Sequence, residues 1–334
     1  MTLGVRPFTH GLHELGSRCY AWIQPDGGWG WSNAGLIVDG DESLLVDTLF
    51  DLRLTRAMLA AMRDAEPVAA RNVDKLVNTH ANPDHCNGNE LVAGAEIIAS
   101  RAAAEEMTAQ SPEWLAMLMG AAPGMGETGR FLIEAFDAFD FEGITQVLPT
   151  TTFEDHYRTR VGDKSIVLKQ FGPCHTAGDI LVYVPDDQLI FTGDILFIEG
   201  HPILWAGPVA NWIAACDYML GLPVEVVVPG HGPVTDKRGI QAVRDYLVYV
   251  RDQARIRFDA GLSVYDAAMD ISLADFDSWG DAERIVVNVA TLYREFGSTE
   301  EPGDPFALMA RIRSERAGRQ AARRGAEFRA LPAP

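Results

Sequence analysis

No segment restricts the fold of this chain more than the run Val77-Asn78-Thr79-His80-Ala81-Asn82-Pro83-Asp84-His85-Cys86-Asn87-Gly88-Asn89. Five side chains able to hold a metal, those of His80, Asn82, Asp84, His85 and Cys86, crowd one short bend in it. Lys75-Leu76-Val77-Asn78 reads as a short buried strand. Pro83 cannot donate to a β-ladder and restrains Asn82 before it, so the chain has to turn there. Glu90-Leu91-Val92-Ala93 then has helix-forming composition, with Gly94 as a stop. The spacing predicts a strand, a bend and a helix, with His80, Asn82, Asp84 and His85 converging at the strand's carboxyl end, where α/β folds keep reactive groups. The plain alternative is a polar loop that happens to carry two histidines and an aspartate.

Three later segments repeat the device. Phe171-Gly172-Pro173-Cys174-His175-Thr176-Ala177-Gly178-Asp179 places a histidine in a glycine-flanked turn after the strand-like Ser165-Ile166-Val167-Leu168. Leu189-Ile190-Phe191-Thr192-Gly193-Asp194 ends an apolar strand on a carboxylate, and Val226-Val227-Val228-Pro229-Gly230-His231-Gly232-Pro233 ends another on a histidine. In each, an apolar run rich in β-branched residues delivers one ligand type into a turn where glycine lets backbone approach closely.

In this order, the segments resemble the metallo-β-lactamase superfamily of binuclear metallohydrolases, whose pattern is His-x-His-x-Asp-His, a lone His, a bridging Asp and a final His. The matching positions are His80, Asn82, Asp84, His85, His175, Asp194 and His231; Asn82 stands where the pattern has a histidine. Asn33-Ala34-Gly35-Leu36-Ile37-Val38 and Leu44-Leu45-Val46-Asp47-Thr48 also resemble the family's amino-terminal strands. The resemblance runs from about residue 15 to about residue 236 and implies an α/β fold of the αββα sandwich type. It implies one metal held by His80, Asn82 and His175, a second by Asp84, His85 and His231, and Asp194 between them. An amide oxygen is a hard, neutral donor where zinc favours imidazole or thiolate, so the first position is the weaker. The ions expected are zinc, one or two, with iron or manganese also suited to the second position.

Such a site lowers the pKa of a bound water to ~7, and Asp84 or Asp194 can orient that nucleophile and take its proton. Hydrolysis of an acyl bond, an ester or thioester of a hydrophobic or aromatic acid, is the leading expectation. A cyclase or lyase acting on a polyketide-like or acyl substrate without net hydrolysis is the alternative, and a lactonase or β-lactamase ranks below it. Asp47 reads either as a carboxylate fixing a ligand histidine's tautomer or as a satisfied corner residue.

The formal charge of −19 argues against a nucleic-acid partner, leaving a small-molecule substrate. The amino terminus Met1-Thr2-Leu3-Gly4-Val5-Arg6-Pro7 carries no secretory pattern and no apolar run nears ~20 residues, so a cytoplasmic protein without a membrane span is expected. The four cysteines form no CxxC pair, which fits a reducing compartment; Cys86 and Cys174 read as structural thiols rather than ligands. His10, His13 and His156 have no supporting pattern.

Specificity is expected from Trp29 and Trp31 on the glycine-rich flap Asp26-Gly27-Gly28-Trp29-Gly30-Trp31, from His201 and Trp205 beyond Asp194, and from a Met-rich helical pair inserted at about 102–141. The organisation expected is a catalytic domain over 1–236 and a helical extension over 237–334, with apolar residues at helical spacing in 240–260 and 282–296. The extension ends in an arginine-rich helix carrying Arg311, Arg313, Arg316, Arg319, Arg323 and Arg324, which either grips a sister subunit of a homo-oligomer or is simply solvated.

Overall fold

The computed structural model describes residues 2–330, with side chains described through 318. Strands β1 Gly11–Gly16, β2 Cys19–Ile23, β3 Ala34–Asp39, β4 Glu42–Val46, β5 Lys75–Val77, β6 Glu96–Ser100 and β7 Thr151–Phe153 form one seven-stranded sheet in that order. Strands β8 His156–Val161, β9 Lys164–Gln170, β10 Ile180–Val184, β11 Leu189–Phe191 and β12 Val226–Val228 form a five-stranded sheet running from β12 at one edge to β8 at the other.

Most of these strands bury both faces, so they read as continuous apolar runs rather than alternating ones. Side-chain alternation divides each between two cores. Cys19, Ala21, Ile23, Leu44, Val46 and Val77 meet Ile166, Leu168, Val182, Leu189 and Phe191 between the sheets. The opposite faces carry Leu36, Leu45 and Leu76, and Leu181, Ile190 and Val227, into a larger cluster with outer helices. Helix α1 (Leu52–Ala65) contributes Met58 and Met62 to it, and the later helix Val209–Gly221 contributes Trp212 and Met219. The architecture is the αββα sandwich.

The bend at Pro83 differs from expectation. Proline suits the first helical position, so a one-turn helix, α2 Pro83–Cys86, starts in the bend itself, and Glu90 lies in a 3₁₀ turn over Asn89–Val92 instead of opening a helix. The inserted segment forms three helices rather than two: α3 Arg101–Ala109, α4 Pro112–Ala121 and α5 Gly126–Phe136. Pro112 starts the second, and a 3₁₀ turn at Ala122–Gly124 separates it from the third.

Helix α6 is Val209–Gly221, and after β12 come α7 Lys237–Asp259, α8 Val264–Asp270, α9 Ile285–Glu295 and α10 Pro305–Ala330. Val243, Tyr246, Val289, Leu292 and Ile312 of these belong to the same large cluster as the sheet faces. The last helix also braces the insertion: Arg313 lies 3.6 Å from Glu134 and over the Phe131 ring. Arg311 pairs with Glu315, and Arg316 donates to the Ala268 and Ile271 carbonyls, so these arginines are engaged within the chain. The side chains of Arg319, Arg323 and Arg324 lie outside the described residues. Among the described residues, no helix is long and apolar enough to cross a membrane.

Candidate metal centre and substrate cavity

Strands β4, β5 and β6 run parallel in one sheet, and β11 and β12 run parallel in the other. Residues following these strands therefore collect at one rim of the sandwich. His80 to His85 follow β5, Asp194 follows β11 and His231 follows β12, while His175 comes from the β9–β10 turn. Two glycines allow the approach. A Cβ at Gly230 would sit 2.0 Å from Asp194 Oδ1, and Gly193 holds φ +48° with Thr79 against it.

Four imidazoles present Nε2 to Asp194: His85 at 3.0 Å, His175 at 3.3 Å, His231 at 3.5 Å and His80 at 3.7 Å. Asp84 stands 3.3 Å from His231 and 3.8 Å from His85. Each opposite ring nitrogen is anchored away from this centre. His85 Nδ1 donates to Asp47 at 2.9 Å, His175 Nδ1 to the Ile203 carbonyl at 2.7 Å and His231 Nδ1 to the Gly27 carbonyl at 3.2 Å. His80 Nδ1 meets the Thr79 hydroxyl at 3.0 Å, which itself donates to Asp47 at 2.7 Å. One buried carboxylate, Asp47, thus fixes two rings, the arrangement that sets tautomer and orientation around metals. Asp179 does the same for the loop of His175, accepting from Thr176 N at 2.9 Å and its hydroxyl at 2.7 Å.

The donor set fits a cation. His80 Nε2, His85 Nε2 and Asp194 Oδ1 are buried with no hydrogen-bond partner, although His85 Nε2 and Asp194 Oδ1 are only 3.0 Å apart. Atoms that close yet not aimed at each other share a third point. Buried polar groups otherwise have partners. His80, His85 and Asp194 form one group able to hold an ion, and Asp84, His85 and His231 another.

Asn82 faces this cluster through its amide nitrogen, 2.9 Å from His175 Nε2. Because His175 Nδ1 gives its proton to a carbonyl, Nε2 of the neutral ring can only accept, so the nitrogen rather than the oxygen of Asn82 belongs there.

Proton affinities divide the cluster. Burial disfavours the charged form of every ring. It prevails at His80, helped by His85, and at His175, and both fall below the ordinary imidazole range. At His85, Asp194, Asp84 and Asp47 outweigh burial and push it well above that range; at His231, Asp194 and Asp84 raise it to about 9. Burial is likewise outweighed at Asp84 and Asp194, which the imidazoles hold below the ordinary carboxylate range.

A cavity of about 540 Å³ opens beside the cluster and reaches Asn82, Asp84, His175, Asp194 and His231. Trp29 and Trp205 line it, as do Met107, Trp114, Leu115 and Phe136 of the insertion. Trp31 does not: its ring packs 4.7 Å from Phe139. His201 is also outside the lining, because its fully buried ring sits against Tyr246 and Trp279, and a buried imidazole there packs rather than overhangs. Cys174 is buried and Cys86 touches the cavity, but burial pushes both thiols up, away from ligand behaviour.

Sequence reading missed three contributors. Phe197 stacks on the His231 ring at 5.0 Å, and Arg284 and Phe306 reach the cavity from the carboxyl-terminal helical region. No local pattern marks them, since their neighbours in space lie far away in sequence.

The sequence profile of the metallo-β-lactamase superfamily matches residues 27–231. A linear primary-alkylsulfatase of Pseudomonas sp. (strain ATCC 19151) is 24% identical over 68% of this chain and 47% of its own. The human acyl-coenzyme A thioesterase MBLAC2 is 25% identical over 60% of this chain and 72% of its own. The structure of the sec-alkylsulfatase Pisa1 from Pseudomonas sp. superimposes with a TM-score of 0.66 at 18% identity, covering 89% of this chain and 51% of that one. The chain thus spans about half the length of the alkylsulfatases it resembles.

Proposed function

The chain belongs to the metallo-β-lactamase superfamily, and from that premise we propose that it is a metal-dependent hydrolase of an acyl bond, taking an ester or thioester of a hydrophobic or aromatic acid. The observation that carries the reading is the convergence of four imidazole Nε2 atoms on Asp194 at the floor of a largely apolar cavity. Asp84, His85 and His231 with Asp194 would hold the tighter ion, and His80 and His175 the looser one, with the Asn82 amide nitrogen supplying no ligand beside them. Two imidazoles and two carboxylates suit zinc, iron or manganese.

Held there, a divalent ion would supply the acidity that brings a water to a pKa of ~7 and a positive charge to polarise a carbonyl. Asp84, whose Oδ2 is 3.3 Å from His231 and which faces the cavity, orients the attacking water and accepts its proton. Asp47 and Thr79 keep His80 and His85 aimed during this transfer. Trp29, Leu115 and Phe136 exclude bulk water and take the acyl body.

A sulfate ester is a second reading, favoured by an arginine, Arg284, on the cavity wall. Reaction in ¹⁸O water with matched acyl and sulfate esters separates the options. Label in the released carboxylic acid supports acyl hydrolysis, label in the alcohol or sulfate of a sulfate ester replaces it, and product without label would establish cyclase or lyase chemistry instead.

A further inference from the structure

Hydrolysis of a neutral acyl bond leaves one part of the cavity without a task. Among the described residues, Arg284 is the only lysine or arginine lining it, in a chain of net charge −19. The residue is 2% exposed. Its guanidinium is held as a fixed plate, 4.3 Å over the Trp29 ring and 5.0 Å over the Phe197 ring. Nη1 donates to the His201 carbonyl at 3.0 Å, and Nη2 lies 3.0 Å from Asp281. Nε is buried and has no hydrogen-bond partner. On the same turn, Glu283 accepts the Trp29 indole N–H at 3.1 Å, tying the flap to this wall. Phe197 also carries the stacked His231 ring, so the guanidinium stands one aromatic ring away from the imidazole cluster.

Packing alone does not call for this residue. Two aromatic faces are filled as well by an apolar side chain, whereas a buried cation carries a desolvation cost that is offset only when its donors are used. A guanidinium that lines the cavity, is oriented by two anchors and keeps one buried N–H without a partner is an arrangement suited to recognising an oxyanion.

We propose that Arg284 receives an oxyanion, carboxylate or sulfate, borne by the substrate beside its hydrophobic body. This rests on the cavity being the substrate site. It places a specificity determinant outside the family-matched residues 27–231.

Calorimetry on the metal-loaded protein with octanoate, octyl sulfate and neutral octanamide tests this without turnover. The wild type should prefer at least one anion over octanamide by about 10- to 100-fold, the span of one charge-assisted hydrogen bond. Arg284→Gln should abolish that preference while octanamide affinity stays within about twofold. Whichever anion binds tighter in the wild type identifies the source. An intact preference in Arg284→Gln would place the anion on the metal and overturn the proposal, as would equal binding of all three ligands by the wild type. Should Arg284→Gln fail to fold, Arg284→Lys keeps the charge and loses the fork: a reduced preference supports the proposal, and an undiminished one overturns it. A protein that shows the Arg284-dependent preference but releases no unlabelled or labelled acid refutes the acyl reading alone.

Discussion

His85 and His231 lie beside Asp84 as well as Asp194, whereas His80 and His175 meet Asp194 but are otherwise met by a hydroxyl and an amide. All four rings are buried, yet the first pair is pushed toward the protonated form and the second toward the neutral one. Neighbouring charge, rather than burial, makes the difference. A cation replaces protons most favourably where negative ligands already compensate it, so the Asp84, His85, His231 side should be the stronger half.

The largest effect that would break this comparison is loss of Asp194 or of a ligand on the stronger side. Asp194→Ala and His231→Ala should each lower kcat/KM on the order of 10³-fold or more and deplete bound metal, because several kcal/mol of transition-state stabilisation depend on the ion. Retention of activity in either variant contradicts the assignment. Asp47→Asn should weaken metal affinity by about 10- to 100-fold in chelator competition, since Asp47 orients His85 directly and His80 through Thr79. An effect confined to one ion would show that only one of those routes matters.

His201 sharpens the comparison as a buried imidazole faced by arginines rather than carboxylates: burial, helped by Arg284 and Arg316, lowers it to about 3. The unfolded chain takes up this proton near pH 6.5 and the folded one resists until about 3, so the unfolded state binds more protons in that window. Stability should fall as pH drops from 6.5, by at most ~1.4 kcal/mol per pH unit from this group. Denaturant titrations of His201→Gln should show a shallower acid slope; an identical slope would mean that the ring titrates normally. The smallest effect expected is that of Cys86→Ser, within about twofold in kcat/KM, because its thiol bonds only to the Ala81 and Asn82 carbonyls.

The convergence of the histidines and aspartates was legible in the sequence because each follows an apolar strand; parallel strands deliver His80 to His85, Asp194 and His231 to one rim, and the β9–β10 turn brings His175 to it. His201 shared that context, placed soon after Asp194, but packing against Tyr246 and Trp279 decided its direction. The bend was misread in detail because proline, which ends a strand, also starts a helix, and α2 begins at Pro83. Arg284 and Glu283 could not be found by pattern: Glu283 meets Trp29 from 254 positions away. The bond between Asn82 and His175, 93 positions apart, was hidden for the same reason.

Metal stoichiometry tests the central claim most directly. Elemental analysis of the purified protein after dialysis against a weak chelator should find one equivalent per chain of wild type, and two in Asn82→His. Two equally retained ions in the wild type, or none in either protein, would contradict it.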